Sequence, residues 1–158
     1  MKLATTLVVA LALAVPLLLA GCGPQTPDAA VRNFYGAIQN HDWNAYLSIV
    51  LPERVRRMTE ADRATQKKEF LATDFTYKGL VLKPTYDKTD KNKAEVALEA
   101  GVVTGKNPST GKTESTTIAE IKKTYGQTPS IATQKYKGRW YVDVPLATVD
   151  KPSQTQTQ

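Results

Sequence analysis

The chain predicts an α+β domain in which N-terminal helices pack against a curved antiparallel sheet. Three observations carry that prediction. Apolar residues recur at helical spacing from Val31 to Val50, and helical character resumes at Pro52 and runs to about Ala72. After Thr73 the pattern switches to period-two stretches rich in Val, Thr, Ile and Tyr. Helices gathered ahead of strands, rather than alternating with them, argue for segregated layers and against a parallel sheet.

Before the first of these helices comes a leader. Met1 and Lys2 precede an uncharged apolar stretch, Leu3 to Leu18, which ends in small residues and has the order of a secretory signal. An uncleaved membrane helix over residues 3–21 is the competing reading, since that stretch is nearly long enough to span a hydrocarbon core. Pro16, Ala20 and Gly21 argue against it. The sequence Leu19-Ala20-Gly21-Cys22 resembles the lipobox of bacterial lipoproteins. That resemblance implies cleavage before Cys22, diacylation (palmitate and similar chains) of its thiol, and retention on the cell membrane or outer membrane, facing the periplasm or the exterior. Cys22 is the only cysteine, so no disulfide within the chain competes for it. Gly23 lacks the aspartate associated with inner-membrane retention in many two-membrane bacteria.

Residues 22–25 form a short lipidated linker, residues 26–149 the domain, and residues 150–158, which hold no apolar side chain, a solvated tail. Thr26 caps a helix over 27–39, with Pro27 at its first position and Asp28 at the positive end of the dipole. Val31, Phe34, Tyr35 and Ile38 form its stripe. Asn40-His41 turns the chain, Asp42 caps a second helix, and Trp43, Tyr46, Leu47 and Val50 repeat the spacing. Pro52 opens a third, with Val55 and Met58 as its stripe, and a weaker pattern runs from Thr59 to Ala72. Strands follow over about 75–86, bent near Gly79, then 93–104, 113–124, 130–137 and 139–146, as an antiparallel meander.

The stretch GKNPSTGKT, residues 105–113, imitates a phosphate-binding loop. The true loop has four residues between its glycines; here five separate Gly105 from Gly111, and Lys106 holds the glycine position. The β-branched run after Lys112 reads as strand, which leaves no helix N-terminus for an anion. The loop is a hairpin turn.

In element order, in its Asn-His-Asp turn, and in the closing strand YKGRWYVDV, the domain resembles the nuclear transport factor 2-like (ketosteroid isomerase-like) superfamily, and more narrowly the small bacterial lipoproteins that carry such a domain. The resemblance implies a cone of curved sheet around helices. It does not choose between enzyme and binding module.

Chemistry-bearing residues are few. His41 is the only histidine, which excludes a site of several imidazoles, and neither a metal nor a cofactor is expected. An isomerase-like site would need a buried carboxyl facing donors, and Tyr35, Tyr46, Tyr141 and Asp143 are the residues expected to line such a cavity. No pair among them meets an acid and base spacing, so the expected role is non-catalytic binding or protein interaction, with a membrane-tethered isomerase-like or hydrolase-like enzyme as the alternative. The net charge of +6 loses only Lys2 on cleavage. For an exported protein that charge points to anionic headgroups or envelope proteins and not to nucleic acid. The clusters are Arg54-Arg57, Lys67-Lys68, Lys122-Lys123, and Lys135, Lys137 and Arg139. A homodimer through the sheet is a further expectation.

Overall fold

A computed structural model describes residues 23–107 and 110–146. The leader, Cys22, Pro108-Ser109 and the tail lie outside the described residues. Among the described residues no helix is long and apolar enough to cross a membrane.

Four helices come first: α1 (Pro27–Gln39), α2 (Trp43–Ile49), α3 (Pro52–Arg57) and α4 (Glu60–Ala72). Each of the first two starts on a side-chain oxygen. The Thr26 hydroxyl accepts from the Ala29 amide, and Asp42 Oδ1 accepts from the Ala45 amide at 2.9 Å. α1 buries Ala30, Val31, Phe34 and Ala37, which turns the deepest face one residue from the expected stripe and leaves Tyr35 and Ile38 half-buried. α4 buries only Asp62 and Phe70; a reciprocal capping box between Thr59 and Asp62 starts it where apolar periodicity is weak.

Strands β1 (Phe75–Tyr86) and β2 (Lys93–Lys106) form a long antiparallel hairpin. The expected bend is present: the register shifts between Lys78 and Val81, around Gly79 at φ 62°. Gly101 faces the bend at φ 135°, and a Cβ there would stand 2.7 Å from Leu80 Cδ2, so the two glycines let β1 fold closely over β2. β3 (Thr113–Thr117) pairs with the far half of β2, and β4 (Ser130–Tyr136) pairs with its near half. β5 (Arg139–Val142) completes the order β1-β2-β4-β5. Lys137 and Gly138, both at positive φ, make the tight turn into it.

Two expectations are corrected here. The third strand does not run to 124. It ends at Thr117, and Ile118–Tyr125 is a helix, α5. The Thr117 hydroxyl accepts from the Glu120 amide while the Glu120 carboxylate accepts from the Thr117 amide at 2.7 Å, and Gly126 closes the helix in the left-handed region. β3 and β4 therefore share one edge of β2 with α5 between them, and the sheet is antiparallel but not a simple meander. The last strand stops at Val142, not 146, because Asp143 to Leu146 leave the ladder and only the Asp143 amide still reaches Ala132 O.

The result is a curled half-barrel sheet with helices packed against it. The core joins Ala30, Val31, Phe34, Ile49 and Val50 to Ala94, Val96, Trp140 and Val142. Val50 and Val142 form a parallel bridge, reinforced by the Leu51 amide donating to Val142 O at 2.9 Å. A second cluster, Trp43, Met58 and Phe70, fills the space under α4.

Candidate functional site

Between α1, α2, α4 and the start of β1 lies a cleft of about 350 Å³. Its walls are aromatic: Phe34, Trp43, Tyr46, Phe70, Phe75 and Tyr77, with Ile38 and Leu146 completing the apolar lining. Helical spacing creates the central stack. Trp43 and Tyr46 stand three residues apart on α2, so their rings lie 5.5 Å apart at an interplanar angle of 16°. Phe70 from α4 meets both, at 5.4 Å edge-on to Trp43 and 4.8 Å from Tyr46. Tyr77 enters from β1, its ring 4.4 Å from Tyr35 and its amide donating to Gln39 Oε1 at 2.9 Å.

The polar members are Gln66, Glu69 and Thr73, all from α4 or the residue after it, together with the two phenols. Burial pushes the Tyr77 phenol up to about 12 and also raises Tyr46. Tyr35, beside the cleft, is raised further by burial and by its neighbour Tyr77. All three phenols hold their protons near neutrality, so none serves as a base there.

The residues expected from sequence do not converge. Tyr46 lines the aromatic cleft, and Tyr35 stands behind its wall, in ring contact with Tyr77 and Phe34. Tyr141 lines a different groove, with Arg32 and Arg139. Asp143 lines a third, beside Tyr86 and Thr133, and pairs with Arg54 Nε at 2.7 Å. That hydrogen bond holds the guanidinium pKa above its ordinary value. Phe70, Tyr77 and Glu69 were not anticipated as cleft residues. The Trp43 and Tyr46 spacing was the readable sign of the stack; the strand residue Tyr77 gave none.

His41 sits exposed in the turn after α1 at φ 54°, and among the described residues no group of His, Cys, Asp and Glu is arranged to hold a metal ion. The hairpin reading of residues 105–113 is met in the described part: Lys106 pairs with Thr113, and the Asn107 amide donates to Lys112 O. The helix that does follow, α5, starts beyond a strand, and its Thr117 and Glu120 amides are each taken by the other's side chain.

In class, then, this is an α+β domain: a curled antiparallel sheet with helices packed against it and an aromatic cleft between α1, α2, α4 and β1. No family model matches the chain, and no curated protein matches it. Among solved structures it is similar to a SEC-C motif containing protein from Rhodopseudomonas palustris, at 16% identity and a TM-score of 0.49, over 78% of this chain and 80% of the other. It is also similar to a protein named as a candidate dehydratase of the nuclear transport factor 2-like family from Streptomyces avermitilis, at 12% identity and a TM-score of 0.42, over 73% and 88% of the two chains. Neither passes a residue role to this chain.

Proposed function

We propose that this chain is a lipid-anchored cell-envelope protein whose domain, read as a nuclear transport factor 2-like cone, binds a small apolar ligand in the aromatic cleft without transforming it. The observation that carries the reading is the cleft itself. A largely apolar pocket with a few polar groups at its side is what a ligand site requires, and the stacked Trp43, Tyr46 and Phe70 rings favour a flat or chain-like guest. Support for a non-catalytic role comes from the protonated phenols and from Asp143 being engaged elsewhere by Arg54. The enzyme alternative draws on one feature, the presence of Glu69 in the same cleft as Tyr46 and Tyr77.

The test uses the apolar fluorophore N-phenyl-1-naphthylamine. It should bind the purified chain with micromolar affinity, quench Trp43, and be displaced by fatty acids. Thr73→Trp, which places a ring at the cleft wall, should abolish binding. Binding that survives Thr73→Trp, or its absence in the unaltered chain, removes the reading. A displaced guest recovered chemically altered, with alteration lost in Glu69→Gln, would favour the enzyme. For the anchor, Cys22→Ser should move the protein from the membrane fraction to the soluble one and abolish labelling by an alkynyl palmitate.

A further inference from the structure

The groove that holds Tyr141 has a feature the aromatic cleft lacks: it adjoins the point where the chain enters the domain. Gly23 and Pro24 form part of its rim, the Trp140 amide donates to Pro24 O at 3.1 Å, and the Arg139 methylenes lie against Gly23, where a Cβ would meet Cδ at 2.5 Å. Residue 22 is joined by a single peptide bond to Gly23, a residue of the groove's rim.

The groove is about 450 Å³ and carries two guanidiniums, Arg32 on α1 and Arg139 on β5. Among the described residues neither has an ion pair or a side-chain hydrogen bond; the ion pairs run from Arg54 to Asp143 and from Lys93 to Asp90. The one carboxylate in the groove, Asp42, gives Oδ1 to the cap of α2. Lys137 adds positive charge in the turn that leads into Arg139. The floor includes Gly36, in the middle of α1, where a Cβ would meet no atom within 4 Å. Glycine is a poorer helix former than alanine, and no protein neighbour requires it.

We propose that this groove receives the anionic headgroup of a phospholipid in the membrane to which Cys22 is attached, with Arg32 and Arg139 on the phosphodiester and Gly36 leaving room for it. The proposal rests on the lipid-anchor reading, because acylation at Cys22 is what holds the groove at headgroup depth and commits it to a lipid rather than a free anion. Attachment also raises the effective headgroup concentration at the groove. Two contacts contribute about fivefold each to occupancy near an anionic surface, roughly 25-fold together. The domain is thereby oriented with the β4–β5 hairpin toward the bilayer.

The lipidated chain is reconstituted into nanodiscs of phosphatidylcholine, alone or mixed with phosphatidylglycerol, and amide exchange is followed over residues 32–37 and 139–142. Phosphatidylglycerol should slow exchange in both segments. Arg32→Ala with Arg139→Ala should remove that protection, and Arg56→Ala with Arg57→Ala should keep it. Gly36→Leu, a helix-favouring change that meets no clash at Cβ, should remain folded by circular dichroism yet lose the protection. Equal exchange in the two discs, protection retained in Gly36→Leu, or the same protection from inorganic phosphate added to phosphatidylcholine discs would overturn the proposal. An intact mass showing a bare Cys22 thiol overturns the anchor separately. The unacylated chain is then floated with phosphatidylglycerol vesicles: flotation lost in Gly36→Leu upholds the headgroup groove, and no flotation removes it.

Discussion

Phe70→Ala tests whether one ring on a largely exposed helix holds the aromatic cleft together. Phe70 is only 8% exposed although α4 buries little else, and its ring touches Trp43 and Tyr46 at 5.4 and 4.8 Å. Returning a phenyl side chain to water costs about 1.5–3 kcal/mol. Loss of the two ring contacts adds about 0.5–1.5 kcal/mol each. The vacated space joins a cleft already open to solvent, so the cavity penalty seen for sealed cores is reduced. The net expectation is a loss of about 3 kcal/mol, or on the order of 10 °C in Tm for a domain of this size. Urea titration followed by tryptophan emission checks it. The midpoint should fall, and the Trp43 contribution should shift to the red because its edge-on neighbour is gone. A loss below about 1 kcal/mol with unchanged emission would refute the idea that α4 is docked through this ring.

Other outcomes follow from the same geometry. Thr117→Ala removes the acceptor for the Glu120 amide and should cost about 1 kcal/mol, read as roughly fivefold faster amide exchange confined to α5; unchanged exchange would argue against a capped helix there. A double-mutant cycle on Arg54→Ala and Asp143→Ala should give a coupling of no more than about 1 kcal/mol, fading with salt, since the two side chains are 39% and 24% exposed; a larger, salt-insensitive coupling would contradict that. In alkaline titration, Tyr77, Tyr46 and Tyr35 favour the folded state while protonated. Their contribution is complete below pH 10 and is lost as pH rises from 10 toward 12, where the unfolded chain ionises first. Ultraviolet absorbance should show these three of the seven tyrosines ionising late, and a single transition near pH 10 for all seven would refute the burial argument.

Much of the fold was legible because its helix starts are written in local chemistry. Thr26-Pro27, Asp42 and Pro52 each give a cap or a first position that depends on neighbours in sequence, and the structure starts helices there. α5 was hidden for the converse reason. Thr113 to Ile118 is β-branched enough to read as one strand, and the Thr117 to Glu120 capping box begins inside that run. The cleft was half legible. Trp43 and Tyr46 share a helical face, but Phe70 lies on a helix held by a cap and one ring, which periodicity does not detect. Tyr77 meets Tyr35 only through tertiary folding, and alternation on the last strand could not tell that Tyr141 and Asp143 would open on separate grooves.

The parallel bridge between Val50 and Val142 constrains how the molecule can be made. Its partners lie about 90 residues apart, so a long loop must close before either gains from the other. During synthesis the floor beneath the first two helices stays incomplete until the final strand has left the ribosome, because a nascent chain stopped before Arg139 has Ala94 and Val96 but not Trp140 and Val142 to cover Val31, Phe34 and Val50. Completion is thus a late, all-or-none event. Loss of the C-terminal strand by proteolysis should undo the N-terminal helices as well as the sheet edge.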